Sequence, residues 1–214
     1  MQQVIKKIFE RFHLLNAARS VKSNLNAFFS RRKWKSLLAS EKVFLELGSG
    51  PKKGLNGWTT VDLIGADITH DLQKGIPLPD SSVDRIYTSH MFEHLPFNSL
   101  VAFIYECYRV LKSNGELSVC VPNAANYINA YVEKRYFSEK GNGYQPAIID
   151  TGSYIDQVNY IAYMDGQHHY LFDEENLINT IKTSPFRSVY LRKFDADIDL
   201  ESRDYESIHA SAIK

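Results

Sequence analysis

The stretch FLELGSGP, residues 44–51, begins as an apolar strand and ends in two glycines around a serine. A short, continuous apolar run is typical of a strand buried within a parallel sheet. Glycine adopts backbone angles that other residues avoid and lets a ligand approach the backbone closely. Because ligands of open parallel sheets bind beyond the carboxyl ends of the strands, Gly48, Ser49 and Gly50 predict a binding turn.

Two acidic residues flank the predicted turn. Glu46 lies two residues before Gly48, where a carboxylate suits a cation or an ammonium group and not a pyrophosphate. Asp62 ends the next predicted strand and can accept two hydrogen bonds from a ribose diol. The third glycine of the dinucleotide motif Gly-x-Gly-x-x-Gly is missing, since Pro51 and two lysines follow the turn. The predicted ligand is therefore a nucleoside-containing cofactor other than a dinucleotide.

Beyond residue 40, strand and helix patterns alternate. The sequence predicts strands at 42–48, 58–63, 83–89 and 117–122, a helix at 99–112 with Gly115 as its C-cap, a helix at 173–184, and two closing strands within 186–194 and 205–214. This alternation predicts an α/β fold in which helices cover both faces of a parallel sheet. Only about ten residues separate Gly48 from the second strand, so this crossover is predicted to be a turn and not a helix.

The motifs together resemble those of the class I S-adenosylmethionine-dependent methyltransferases, of the type 11-like kind. LELGSGP is similar to the first motif of that family, and VDL at 61–63 is similar to the second. The segment 66–95 resembles the family's series of an acid, a proline-containing turn, a strand and a Glu-His pair, and 109–123 resembles its later turn and fifth strand. The likeness is close over 42–123 and loose over 165–214. It implies a Rossmann-like, doubly wound, mostly parallel seven-stranded sheet with an antiparallel C-terminal strand.

The resemblance implies cofactor-binding roles around S-adenosylmethionine. The residues are Glu46, Gly48, Ser49, Gly50 and Pro51 at the methionine end, Asp62 and Leu63 at the ribose, Asp67 or Asp71 at the adenine, and Ser89 and His90 on the pocket wall. A structural alternative exists for several of them. Glu46, for example, would pair with Lys42 or Lys53 at the end of its strand.

An oxygen acceptor loses a proton when it takes a methyl group, and histidine removes protons well near neutral pH. The candidates are His168 and His169, just before the last predicted helix, together with Glu93 and His94. Glu93 is predicted to open the helix that follows it, where the helix dipole alone favours an acid. His168 and His169 are equally compatible with loop packing. No metal is predicted, because no clear set of carboxylates accompanies the histidines.

Residues 1–40 form a predicted basic extension, and residues 41–214 form the predicted methyltransferase domain. The extension carries nine Lys or Arg and one acid, which leaves the rest of the chain with a net charge of −8. Its apolar residues recur at spacings of three and four, which predicts one or two amphipathic helices. Such helices either pack on the domain or dock on an anionic membrane surface or a protein partner, and nucleic acid is the least favoured partner.

Cysteine usage and hydropathy predict a cytoplasmic protein, with peripheral membrane attachment as an alternative. Cys107 and Cys120 fit no metal-binding spacing and are predicted to be small buried hydrophobes in a reducing compartment. No apolar run reaches the ~18 residues that a membrane-spanning helix needs. The N-terminus also lacks the apolar core of a signal peptide.

Eight of the chain's 13 tyrosines lie within residues 123–172. This Tyr-rich insert is predicted to be either a second aromatic core or a lid over the substrate, since tyrosine offers both a flat face and a hydroxyl.

The sequence thus predicts transfer of a methyl group from S-adenosylmethionine to a small-molecule or saccharide acceptor, with oxygen as the favoured atom. The saccharide preference rests on resemblance to methyltransferases associated with surface-polysaccharide synthesis. One alternative is a catalytically silent cofactor-binding protein that docks on a membrane assembly. Another, a nicotinamide-dependent oxidoreductase, is disfavoured by the missing third glycine.

Overall fold

The computed structural model describes residues 28–137 and 150–214, and its centre is a seven-stranded sheet. The strands are β1 (Phe44–Leu47), β2 (Trp58–Asp62), β3 (Ile68–Thr69), β4 (Val83–Ser89), β5 (Leu111–Pro122), β6 (Ser188–Leu191) and β7 (Ser207–Ile213), in the spatial order β3-β2-β1-β4-β5-β7-β6. The pairs β1–β2, β1–β4, β2–β3 and β4–β5 are parallel, whereas β7 runs antiparallel to both β5 and β6. The predicted Rossmann-like fold with its antiparallel C-terminal strand is confirmed.

Six helices are found in the part of the chain that the structure describes. They are α1 (28–37), α2 (Phe97–Val110), α3 (Ala124–Val132), α4 (Ile155–Tyr163), α5 (Glu174–Ile181) and α6 (Glu201–Asp204), with 3-10 turns at Leu72–Lys74, Phe92–His94 and Met164–Gly166. None of the helices within the described residues has the length and apolar character needed to cross a membrane.

The main core lies between α2, α5 and one face of the sheet. Alternate residues of a strand point to the same face, and the fully buried Leu45, Ile86 and Leu117 occupy matching positions on β1, β4 and β5. Leu100 and Cys107 of α2 belong to the same buried cluster. Both cysteines of the chain are buried and unpaired, as predicted.

The opposite face of the central strands is more polar. Glu46 on β1 pairs in register with Tyr87 on β4, which pairs with Ser118 on β5. The hydroxyl of Ser118 accepts a hydrogen bond from Nε of Arg192 at 2.8 Å, and Arg192 also donates to the buried carboxylate of Asp199. A segment that follows β6 thus covers this face at its centre.

The predicted C-terminal end of the helix 99–112 is wrong, and so is its predicted C-cap at Gly115. The helix α2 ends at Val110, and Leu111 is already extended, with φ −63° and ψ 139°. The strand β5 begins there because Leu111 pairs with Val83 of β4, so tertiary pairing overrides the local stop signal. The left-handed residue of this segment is Asn114, with φ 65°, and not Gly115. A Cβ atom on Gly115 would lie 2.9 Å from the carbonyl oxygen of Lys112, so close packing explains the glycine.

The predicted turn between β1 and β2 is confirmed. Residues 48–57 form no helix, although β1 and β2 pair in parallel. The strand β3 was not predicted, because its two residues are too short to give a periodic pattern.

The described part of the basic extension, helix α1, packs on the domain beside β3. The hydroxyl of Ser30 bonds to both the N–H and the carbonyl of Thr69, at 3.1 and 3.0 Å. Trp34 is buried, and its ring stands edge-on to that of His70 at 5.7 Å. Residues 1–27, on which most of the prediction of amphipathic helices rests, lie outside the described residues.

The Tyr-rich insert contains a second aromatic core in its described parts, 123–137 and 150–172. Tyr127 of α3 is fully buried against Ile161 of α4, and Phe137 packs beside them. This arrangement matches the first of the two predicted roles of the insert.

Replacing Trp34 by alanine is expected to lower the free energy of unfolding by about 3 kcal/mol, because a buried aromatic side chain leaves a cavity. Phe29→Ala in the same helix, at a side chain that is 58% exposed, is expected to change it by less than about 1 kcal/mol. Urea denaturation measures both values. Equal losses in the two variants would contradict the packing of α1 on the domain.

Candidate functional site

A cavity of about 580 Å³ opens at the carboxyl ends of β1, β2 and β4. Its volume falls within the range of small-molecule binding sites. Nine of the eleven predicted cofactor-binding residues line it, namely Glu46, Gly48, Ser49, Gly50, Asp62, Leu63, Asp71, Ser89 and His90. The parallel strands therefore bring residues that are up to 44 positions apart in sequence to one rim.

The glycine turn after β1 needs both of its glycines. Gly48 and Gly50 have φ angles of 71° and 69°, which residues with a side chain rarely adopt. A Cβ atom on Gly48 would also lie within 3 Å of Met91, whose Cβ would be 2.7 Å away. Among the described residues, no atom other than those of Gly50 and its two chain neighbours lies within 4 Å of a Cβ built on Gly50. The absence of a side chain at Gly48 thus makes room for Met91, and its absence at Gly50 leaves space in the cavity for a ligand.

Asp62 fixes this turn from the neighbouring strand. One of its carboxylate oxygens accepts the N–H of Gly50 at 2.9 Å, and the other accepts the N–H of Ile64 at 3.4 Å. A carboxylate offers about four acceptor positions, so Asp62 retains capacity for a ligand in the cavity that it lines.

Glu46 is the second carboxylate of the cavity and is itself 9% exposed. Its Oε1 atom lies 2.5 Å from Nζ of Lys52, so its partner is neither of the two lysines predicted as alternatives. Burial raises the pKa of Glu46, while the ammonium of Lys52 opposes that shift. Lys52 lines the same cavity, so both members of this ion pair lie at its wall.

Asp67 and Asp71, the two predicted candidates for adenine binding, lie in different environments. Oδ2 of Asp67 accepts the N–H of Gly54 at 2.8 Å and the hydroxyl of Thr60 at 3.1 Å, and Oδ1 lies 3.0 Å from Nζ of Lys33. Asp67 does not line the cavity. Burial raises the pKa of Asp67, but these hydrogen bonds outweigh burial and lower that pKa to about 2. Asp71 does line the cavity.

Asp71 caps the 3-10 turn Leu72–Lys74 by accepting the N–H of Gln73 at 3.1 Å. This places the predicted adenine-binding carboxylate at the cavity and not in the network around Asp67. Pro51 also lies outside the lining of the cavity, and it is exposed. It packs against Gly65, where an added Cβ would come within 2.7 Å of its ring.

His90 directly follows β4 and lies in the left-handed region, with φ 50°. Its Nε2 atom lies 2.9 Å from the hydroxyl of Ser207. Burial, together with the positive charge of Arg203, lowers the pKa of His90 to about 3. The ring is therefore neutral at physiological pH and offers a polar contact without a charge.

Of the four predicted catalytic residues, only His94 lines the cavity. Its Nδ1 atom donates to the carbonyl of Gln167 at 3.0 Å. The ring of His168 stands against that of His94 at 4.9 Å, outside the cavity lining, and its Nδ1 atom donates to the carbonyl of Ile161 at 2.7 Å. His169 is exposed, and its backbone N–H donates to the carbonyl of Glu93 at 2.7 Å.

Glu93 does not open the helix α2, so the predicted dipole explanation for this acid is wrong. Glu93 lies in the separate 3-10 turn Phe92–His94, and α2 begins at Phe97. The residue before a proline avoids the helical region, and Leu95, which precedes Pro96, is extended. Glu93 is 2% exposed, and burial raises its pKa to about 8.

The sequence reasoning missed Gln167, Leu200 and Arg203, which complete the cavity. Leu200 and Arg203 lie just before β7, which runs antiparallel to β5 with Ser207 opposite Pro122. The residues that precede β7 therefore meet the carboxyl ends of the parallel strands. The sequence predicted this antiparallel orientation, from which the position of Leu200 and Arg203 at the cavity could have been inferred. Within 28–137 and 150–214, the guanidinium of Arg203 forms no ion pair.

Part of the chain is similar to known methyltransferases. Residues 45–119 match a family model described as a methyltransferase domain. A protein of Mycolicibacterium smegmatis named "Probable S-adenosylmethionine-dependent methyltransferase" is 38% identical over 61 residues, and this match covers 28% of the present chain and 23% of that protein. The predicted resemblance to the methyltransferases is confirmed for this segment.

The chain is also similar to two solved methyltransferase structures, each with a TM-score below 0.5. A methyltransferase from Archaeoglobus fulgidus has a TM-score of 0.49 and 16% identity, with coverage of 90% of this chain and 94% of that chain. A methyltransferase from Mesorhizobium loti has a TM-score of 0.48 and 18% identity, with coverage of 85% and 97% respectively.

Asp67→Ala is expected to lower the free energy of unfolding by about 1–3 kcal/mol at pH 7, because it leaves the N–H of Gly54 without an acceptor and removes the ion pair with Lys33. The pKa of Asp67 is lower in the folded protein, so its contribution is present above pH ~4 and is lost as the pH falls towards 2. The difference between wild type and variant should shrink over that range in urea titrations.

Asp71→Ala is the matched control for this prediction. It removes the cap of a 3-10 turn and an ion pair with the exposed Lys74, so the expected loss is about 1 kcal/mol or less. A larger loss in Asp71→Ala than in Asp67→Ala would contradict the assignment of Asp67 to the structural network.

Proposed function

We propose that this protein, whose residues 45–119 match a methyltransferase domain, transfers the methyl group of S-adenosylmethionine to an oxygen of a small-molecule or saccharide acceptor. The observation that carries the proposal is the cavity in which a glycine turn is flanked by the carboxylates of Glu46 and Asp62. The name of the Mycolicibacterium smegmatis relative supports the choice of cofactor. Since the match spans less than a quarter of that relative, the activity of the whole chain is inferred from the site.

The cofactor is assigned along the rim from β1 to the 3-10 turn after β3. The buried carboxylate of Glu46 faces the cationic methionine end, because opposite charges attract strongly where solvent is scarce. The free acceptor positions of Asp62 receive the ribose hydroxyls, and the exposed Leu63 lies beside it. Asp71 receives the amino group of the adenine.

Methyl transfer from a sulfonium is an in-line displacement. An electron pair of the acceptor oxygen forms the new bond to the methyl carbon, the carbon–sulfur bond breaks, and S-adenosylhomocysteine leaves. The protein mainly positions the acceptor close to the methyl group, and one group must accept the hydroxyl proton.

His94 is the histidine that the cavity offers for this role. Its Nδ1–H is held by the carbonyl of Gln167, which leaves the lone pair on Nε2. Burial lowers the pKa of His94, so the ring is neutral at pH 7. Docking of residues 1–40 on an anionic surface or a protein partner stays a prediction from sequence.

Isothermal titration calorimetry is expected to show binding of S-adenosylmethionine and S-adenosylhomocysteine but not of NAD. Asp62→Ala should weaken both affinities by at least about tenfold, because it removes the ribose acceptor and the anchor of the glycine turn together. Glu175→Ala, at an exposed acid of α5, serves as the control and should bind normally. Binding of NAD alone would refute the proposal.

His94→Asn is expected to lower the rate of S-adenosylhomocysteine release by about 10²–10⁴-fold with saccharide hydroxyl acceptors, because the asparagine cannot place a basic nitrogen at the Nε2 position. Its affinity for S-adenosylmethionine should stay within about threefold of wild type. An unchanged rate in His94→Asn, in a preparation where wild type turns over, would exclude His94 from the reaction.

A further inference from the structure

The group formed by Glu93, His94 and His168 contains a carboxylate that the protein itself does not satisfy. Glu93 is 2% exposed, and neither of its side-chain oxygens has a hydrogen-bond partner among the described residues. An isolated ionised carboxylate in a low-dielectric interior is strongly unfavourable unless it is neutralised, paired or bound to a metal. The carboxylate of Glu93 is therefore expected either to be protonated or to bind a cation.

Histidine rings stand around this carboxylate: Nδ1 of His90 lies 3.9 Å from Oε1 of Glu93, and the rings of His94 and His168 belong to the group named above. Nε2 of His94 lies 3.9 Å from Oε1 of Glu93, and the rings of His94 and His168 are 4.9 Å apart. One potential ligand atom from each of the three residues can be chosen so that all lie within 4.8 Å of one another. A zinc ion binds nitrogen and oxygen ligands at about 2.0–2.2 Å, so a small inward movement of the side chains would bring all three into its coordination sphere.

The histidines are already held in the tautomer that metal binding needs. Nδ1 of His94 donates to the carbonyl of Gln167, and Nδ1 of His168 donates to the carbonyl of Ile161. In each ring the lone pair is consequently on Nε2. Backbone carbonyls that fix the other ring nitrogen are the usual outer-shell partners of metal-bound histidines.

We infer that Glu93, His94 and His168 form a binding site for a divalent transition metal ion, with Zn²⁺ as the best fit. Two imidazoles and one carboxylate provide three protein ligands and leave one position open for water or another oxygen ligand. His168 follows His94 by 74 positions in the chain, so no local spacing predicts this set. His94 also lines the cofactor cavity, so the ion would lie at its wall.

A second group of metal-binding residue types, Cys120, Asp199 and His209, is less suited to a cation. The carboxylate of Asp199 already accepts two hydrogen bonds from the guanidinium of Arg192 and one from the N–H of Asp195. An arginine that satisfies the carboxylate also repels a metal ion. Glu93 has no such partner.

Calorimetric titration of the metal-free full-length protein with Zn²⁺ tests the site directly and needs neither cofactor nor acceptor. The expected result is one ion per chain, with affinity reduced at least about tenfold in Glu93→Gln and in His168→Asn. The asparagine retains the donor to the carbonyl of Ile161 and lacks a nitrogen at the Nε2 position, so it removes the ligand and keeps the fold contact. The control His169→Asn, at the exposed neighbouring histidine, should bind zinc as wild type does.

Thermal unfolding supplies a second readout. Zinc at about a hundred times its Kd should raise the Tm of wild type but not that of Glu93→Gln, because only the folded wild type has the site. Without metal, Glu93→Gln should be at least as stable as wild type, since glutamine replaces a buried carboxyl group that has no hydrogen-bond partner among the described residues. No zinc binding, or binding that Glu93→Gln and His168→Asn leave unchanged, would overturn the site and identify Glu93 as a buried neutral acid.

Failure of this site and failure of the proposed function are distinguishable. Binding of S-adenosylmethionine without zinc, together with turnover that a chelator does not affect, would reject the metal site and retain His94 as a direct proton acceptor. Zinc binding that requires all three residues, in a protein that does not bind S-adenosylmethionine, would support the metal site and reject the methyl-transfer proposal.

Discussion

The hydrogen bond from the N–H of Gly50 to the carboxylate of Asp62 is the constraint on which the site depends. It joins the turn after β1 to the end of β2 and so fixes the backbone in a conformation that needs positive φ at Gly48 and Gly50. The same bond holds Asp62 at the rim, across the turn from Glu46. This hydrogen bond therefore fixes both the backbone of the glycine turn at the cavity and the position of the Asp62 carboxylate.

The short connection between β1 and β2 changes how the sheet is covered. Residues 48–57 form no helix, and the neighbouring face of the central strands is polar enough to bind other segments. The segment after β6 does so through Arg192, which reaches Ser118 on β5 and the carboxylate of Asp199. It then continues past Leu200 and Arg203 to β7 and completes the cavity wall.

Features fixed by local pattern were predictable, and features fixed by tertiary contact were not. The buried strand β1, its glycine turn and the acid at the end of β2 follow from residue type and spacing. The end of α2 depends on the pairing of Leu111 with β4, and the choice between Asp67 and Asp71 depends on which of them meets Gly54 and Thr60. Glu93 and His94 lie beside His168 because the loop before α5 packs against the 3-10 turn Phe92–His94. In this contact the N–H of His169 donates to the carbonyl of Glu93.

The charges around the cavity are divided in a way that suits a sulfonium cofactor. Burial lowers the pKa of His90, His94 and His168, so none of these imidazoles opposes a cation at neutral pH. Transfer of a methyl group from a sulfonium to an oxygen that loses its proton removes the positive charge from sulfur. When a neutral histidine takes that proton, the positive charge passes from the sulfur to the imidazole, and no pair of opposite charges is created. The neutral imidazoles of His90 and His94 and the buried carboxylate of Glu46 are therefore compatible with a cationic ligand in the cavity.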